Sequence, residues 1–160
     1  MALAPEHGLD LGRVLTLGHS AGGHLALWLA GRHRIPAGSP LAPGPGALPV
    51  RAAVAIAPVT DLDRFFTARP ELAPLVDPAG RPAVDPYALL PLARPQVVAQ
   101  GVEDQSVALA ESRRHVEAAQ AAGDRATLLD LAGAEHFAPI RPELPAWAQV
   151  AAAVEGLARA

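Results

Sequence analysis

Cysteine is missing from all 160 residues of the chain. Its absence excludes disulfides, a cysteine nucleophile and thiolate metal sites, and leaves the redox compartment undetermined. Lysine is missing too, so all 13 basic residues are arginines. With the heavy use of alanine, glycine and proline, this reads as a bias of the coding DNA and carries no function. No stretch approaches the ~20 uninterrupted apolar residues that span a bilayer. The opening residues Met1 to Gly8 hold no basic segment followed by an apolar one, so no targeting signal is read there and a cytoplasmic location is the default. A net charge of -3 gives no positive field for nucleic acid or an anionic membrane. What is present is 51% hydrophobic residues, enough at this length to bury one sizeable core in a single soluble domain.

Apolar runs of strand length punctuate the chain. The first is Val14 to Leu17, and an alanine- and leucine-rich helix follows from about Ser20 to Arg32. That helix is apolar nearly all round, so it is expected to be buried, with Trp28 in the core. Gly22 and Gly23 let its first turn approach the strand, and Arg32 and Arg34 place positive charge near its C-terminal end. The proline- and glycine-rich stretch from Pro36 to Pro49 is a loop. Val50 to Ala57 is a second continuous apolar run, closed by Pro58. Runs apolar on both faces suit parallel strands covered by helices.

Beyond Asp61 the pattern weakens, and about 61–92 reads as a cap or insertion of short helices containing Phe65, Phe66 and Tyr87. Arg94 to Gly101 resumes the strand theme. A helix is predicted from about Ser106, as N-cap, to Ala122, stopped by Gly123. A fourth strand, Ala126 to Leu131, leads to a last helix over Trp147 to Ala158, anchored by Trp147. Strands alternating with helices predict an α/β fold with a mostly parallel sheet flanked by helices.

Serine is scarce, at Ser20, Ser39, Ser106 and Ser112. One of the four lies in Gly18-His19-Ser20-Ala21-Gly22, the Gly-x-Ser-x-Gly pattern of a nucleophile elbow, and composition alone would produce it in about 3 such chains per 100. Its context gives it weight. A strand precedes it and a helix follows, so a sharp turn would lift the hydroxyl clear of the sheet. Reactive groups of parallel sheets gather at the carboxyl ends of the strands. Ser20 follows the first strand there, Asp104 the third and His136 the fourth. The order Ser, Asp, His fits a triad in which His takes the serine proton and the carboxylate fixes the imidazole tautomer.

On these residues the chain resembles the C-terminal portion of an α/β-hydrolase-fold serine esterase or amidase. Gly18 to Ala26 is similar to the elbow of kynurenine formamidase-like, hormone-sensitive-lipase-like and prolyl-oligopeptidase-like members. Gly101-Val102-Glu103-Asp104-Gln105-Ser106-Val107 is similar to the family's acid loop, and Gly133-Ala134-Glu135-His136-Phe137 to its histidine loop. The resemblance implies Ser20 as nucleophile, Asp104 as acid, His136 as base and the Ala21 N–H as an oxyanion donor. Gln100 stands where the acid loop commonly has histidine and Ala108 where it has proline; neither position performs chemistry. A larger departure is that only 19 residues precede Ser20. They contain no His-Gly-Gly-Gly loop to complete the oxyanion hole, and the N-terminal strands of the fold are missing. Losing one oxyanion donor typically costs about 10²- to 10³-fold in rate.

The expectation is therefore a fragment or truncated gene product of a hydrolase that cleaves carboxylic esters or amides through an acyl-enzyme, inactive or weakened on its own. A prolyl-oligopeptidase-like peptidase fragment and a non-catalytic hydrolase-like binding module are the rival readings. Glu103 is the rival for the acid. His19, Phe65, Phe66 and Tyr87 are candidate substrate contacts, while His7, His33 and His115 read as solvated. His19 and His24 lack a carboxylate at ligand spacing, so neither a metal nor another cofactor is expected. The expected partner is a small-molecule ester or amide, with no nucleic acid and no membrane. A homodimer or a missing N-terminal segment is expected to complete the sheet.

Overall fold

In the computed structural model, which describes residues 3–159, four strands lie side by side in the order of the chain, all parallel. They are β1 (Leu15–His19), β2 (Ala52–Ile56), β3 (Gln96–Gly101) and β4 (Ala126–Leu131). The continuous apolar runs become strands because β2 and β3 have neighbours on both edges and helices on both faces; every residue of β2 is buried. Consecutive parallel strands need crossovers. After the short α1 (Leu3–Glu6), these are α2 (Ala21–Gly31) between β1 and β2 and α5 (Leu109–Ala121) between β3 and β4. Between β2 and β3 run α3 (Leu62–Ala68), two 3₁₀ turns and α4 (Arg81–Val84). The last helix, α6 (Pro145–Arg159), follows β4. Among the described residues no helix is long and apolar enough to cross a membrane.

Register divides the core into two layers. Ala53 and Ala55 face α2, where they meet Leu27, Ala30 and Leu92, and Val98, opposite Ala55, meets Val116 and Ala119 of α5. Val54, Ile56 and Ala99 face the other way, onto Ala146 and Val150 of α6. Trp147 packs against this second layer, as its expected anchoring role requires. Leu17 is opposite Val54 and so lies on the α6 face, yet it is 48% exposed where Val54 is 1%. The packed layer stops at β2, and β1 is the bare edge of the sheet.

Four sequence readings need correction here. α2 is not buried all round, since Leu25 is 54% exposed on a side that nothing in the described residues covers. In its first turn Gly23, not Gly22, makes the close approach. A Cβ at Gly23 would meet the Ile56 carbonyl and Pro58 side chain, whereas one at Gly22 has nothing within 4 Å. α5 begins at Leu109 with Ala108 in the capping position, not at Ser106, because the Ser106 amide is drawn instead to the Asp104 carboxylate. His115 is fully buried rather than solvated.

Candidate active site

Ser20 follows β1 and adopts φ 56° and ψ -119°, a region costly to a residue with a Cβ. Its surroundings hold it there. The Ser20 amide donates to the Ile56 carbonyl across the sheet (2.8 Å) and the Ser20 carbonyl accepts from His24 in the first turn of α2 (3.1 Å). This fold of the chain is possible only because residue 18 has no side chain: a Cβ on Gly18 would overlap the Gly22 carbonyl. The Thr16 hydroxyl reinforces the turn by donating to the Ala26 carbonyl (2.9 Å). Ala21 opens α2, so its N–H has no intrahelical acceptor, and it meets none elsewhere in the described residues. A free amide beside Ser20 at a helix N-terminus is suited to stabilise developing negative charge.

Asp104 lies in the turn after β3. Gly101 allows that turn to touch the loop after β4, since a Cβ there would overlap the Ala134 carbonyl; the Glu103 amide donates to the same carbonyl (3.0 Å). The Asp104 carboxylate is shielded from solvent and accepts four hydrogen bonds. Oδ1 takes the amides of Ser106 (2.7 Å) and Val107 (3.0 Å), and Oδ2 takes Gln100 Nε2 (2.9 Å) and His136 Nδ1 (2.7 Å). Burial alone would raise this carboxyl. The Val107 amide, the His136 imidazole and the Ser106 amide outweigh burial and hold it below the ordinary carboxylate value. An ionised acceptor on Nδ1 fixes that nitrogen as the protonated one and leaves Nε2 as the basic site.

The structure thus brings Asp104, not its exposed neighbour Glu103, to His136. It brings both to the elbow through His19, whose Nε2 donates to the His136 carbonyl (2.9 Å) and whose ring lies 4.5 Å from the His136 ring. Burial pushes His19 below the ordinary imidazole value, consistent with a neutral ring that donates from Nε2. The Ser20 hydroxyl itself makes no hydrogen bond among the described residues. Catalytic hydrogen bonds are often open without substrate and tighten on its arrival.

A hollow of about 390 Å³ opens beside Ser20 and Ala21. Its walls include Val59, Leu62, Phe65, Phe66 and Val107, with Arg69 as its one charged lining residue. Phe65 and Phe66, candidate substrate contacts, line this hollow. Tyr87 does not: its ring lies under the Arg114 guanidinium (4.1 Å) and near His115. His19 supports the histidine loop and is not part of the hollow's wall. Gln100, which performs no chemistry itself, is fully buried against the Asp104 carboxylate. The signal for it is an amide set in a strand-length apolar stretch, Gln96-Val97-Val98-Ala99-Gln100, whose other amide, Gln96, is buried too. Among the described residues no three His, Cys, Asp or Glu side chains are grouped to hold a metal. His24, one of the two histidines weighed as ligands, is bonded through Nδ1 to the Val59 carbonyl (3.0 Å).

No protein-family model and no curated protein matches the chain. Solved structures do. An esterase from the planctomycete Thermogutta terrifontis, with propionate bound, is 28% identical, with a TM-score of 0.75 over 99% of this chain and 60% of its own. Thermogutta terrifontis esterase 2 phosphoramylated by tabun is 28% identical, with a TM-score of 0.70 over 98% of this chain and 58% of its own. A truncated carbohydrate esterase from gut microbiota shares the fold at 16% identity, with a TM-score of 0.78 over 99% of this chain and 64% of its own. The chain is similar to these esterases over nearly its whole length and spans about 60% of theirs. It is a partial α/β-hydrolase-like fold.

Proposed function

We propose that the chain carries the catalytic triad of a serine hydrolase acting on carboxylic esters. The observation that carries this reading is the His136–Asp104 pair, bonded at 2.7 Å and packed against the residue that precedes a positive-φ serine. Ser20 Oγ attacks the ester carbonyl carbon while His136 Nε2 accepts the hydroxyl proton. Asp104 holds the imidazole and balances the imidazolium, and the Ala21 N–H donates to the carbonyl oxygen as it becomes an oxyanion. The C–O bond to the leaving group breaks, and the alcohol departs with the proton from His136. Water, deprotonated by the same nitrogen, then releases the acid from the acyl-serine.

Two further observations support the reading. The hollow beside Ser20 is walled by Phe65, Phe66 and aliphatic side chains, which suits an apolar acyl or alcohol group. The similar Thermogutta esterase has been captured with propionate and in a phosphoramylated state, and phosphoramylation requires a nucleophilic atom on the protein. With one oxyanion donor in view, the chain alone is proposed to turn over slowly, about 10²- to 10³-fold below an enzyme with a complete hole. Hydrolysis of aryl acetate and aryl butyrate by wild type, Ser20→Ala and His136→Gln tests the reading. Loss of most enzymatic turnover in both variants, about 10³-fold or more in a competent site, is expected. Equal rates in wild type and Ser20→Ala would overturn it.

A further inference from the structure

We propose that Gln100 is a positioning residue that holds the Asp104 carboxylate against His136, as the middle of a buried relay running from α5 to the site; this rests on the triad reading above. The orientation of the amide is dictated by its neighbours. Nε2 has two hydrogens and two acceptors, Asp104 Oδ2 (2.9 Å) and the Val107 carbonyl (3.1 Å). Oε1 accepts the Ser112 hydroxyl (2.7 Å). Turning the amide over would set its oxygen against a carboxylate and a carbonyl while its nitrogen faced the hydroxyl, so one arrangement is strongly favoured. Gln100 and Ser112 are both fully buried, away from bulk solvent.

The consequence lies at Oδ2. The backbone amides of Ser106 and Val107 grip only Oδ1 and leave the carboxylate free to pivot about that anchor. Gln100 Nε2 is the second contact on the oxygen that accepts the His136 Nδ1–H hydrogen bond, and it closes the pivot. Because Ser112 is on α5 and Gln100 on β3, the aim of His136 is tied to the packing of α5 on the sheet. An amide also does this without titrating. The ionisable groups facing Gln100 are Asp104 and, beyond it, His136; Asp130, its partner across β4, turns to Arg113 at the surface. A histidine at position 100 could donate to Oδ2 as well, but would add an ionisable group beside the Asp104–His136 pair.

The test reads His136 directly. In the 160-residue chain labelled with nitrogen-15 histidine, solvent exchange of the His136 Nδ1 proton is followed by NMR in wild type, Gln100→Leu, Gln100→His and Ser112→Ala. Gln100→Leu is expected to accelerate exchange about 10- to 10²-fold and to slow fluorophosphonate capture of Ser20 by a similar factor, the scale of a misplaced reacting group. Gln100→His should restore slow exchange while adding a second ionisation to the pH profile of capture. Ser112→Ala should move exchange in the same direction as Gln100→Leu by less, and it keeps the idea testable if the leucine variant fails to fold. Wild-type exchange and capture in a folded Gln100→Leu chain would overturn the proposal, as would wild-type exchange in Ser112→Ala if the leucine variant does not fold. Absence of capture in the wild type would overturn the triad reading instead, with the exchange measurement still deciding the role of Gln100.

Discussion

At the scale of single residues, the site depends on what Gly18 lacks. Ser20 is held in a conformation that typically costs on the order of 1–3 kcal/mol, and the turn that imposes it runs the Gly22 carbonyl through the space a Cβ at position 18 would fill. Gly18→Ala is therefore expected to lower stability by about 3 kcal/mol or more. Gly22→Ala, which meets nothing within 4 Å, is expected to stay within about 1 kcal/mol of wild type. Urea unfolding of the two variants checks this, and equal losses would contradict it. Ser20, Asp104 and His136 were legible as site candidates because each stands in a short turn directly after a strand. Gly18 and Gly101 could be seen as glycines but not as contacts, since the carbonyls they admit belong to Gly22 and Ala134 in adjoining turns. Gln100 is not legible in this way, because a buried amide within a strand reads as core until the Asp104 carboxylate it bonds is placed beside it.

At the scale of elements, the four strands were readable because a parallel strand buried on both faces must be apolar throughout; β4 has the predicted bounds, Ala126–Leu131. α5 was read less well. Its inward face is Ser112, His115, Val116 and Ala119, a helical i, i+3, i+4, i+7 set that two polar residues disguise. Ser112 Oγ donates to Gln100 Oε1, whereas His115 is bonded through Nε2 alone, its buried Nδ1 having no partner among the described residues. His115 Nε2 donates to Gln96 Oε1 (2.9 Å), and Gln96 Nε2 donates to Asp124 (2.9 Å), which also receives the Leu92 and Ala93 amides.

Burial, helped by Arg114, pushes His115 down to about 4, against about 6.5 in an unfolded chain. Its contribution to stability is thus complete above the unfolded value and is lost as pH falls toward 4. Asp85 has the opposite sign. Burial raises it to about 6, so its contribution is present below about pH 4 and is lost as pH rises through about 6. Replacing His115 with leucine should shrink the fall in stability between about pH 7 and about pH 5 by on the order of 1–2 kcal/mol. Urea titrations at the two pH values measure the difference, and an unchanged fall would contradict the assignment.

At the scale of the whole molecule, the sheet has one finished side and one bare one. Both outer strands present unpaired backbone, but β4 is flanked by α5 and the α6 layer, whereas β1 lies beside the exposed Leu17 and Leu25. Such an edge favours strand addition, and the esterases the chain resembles continue for about 40% of their length beyond what it matches (60% covered). We propose that a second copy or a further segment of chain pairs with β1. The isolated chain is expected to associate as its concentration rises, and Leu17→Lys to weaken that association, by sedimentation velocity. Identical sedimentation of a monomeric wild type and variant across the range would contradict an adhesive edge.

Whether Ser20 is a nucleophile served by His136 and Asp104 is decided by covalent capture. The chain is incubated with a tagged fluorophosphonate, its intact mass is measured and the adduct is located by peptide mapping. One adduct is expected, on Ser20, lost in Ser20→Ala and strongly slowed in His136→Gln. Labelling of the wild type no faster than of Ser20→Ala, or an adduct on Ser39, Ser106 or Ser112 instead, would contradict it.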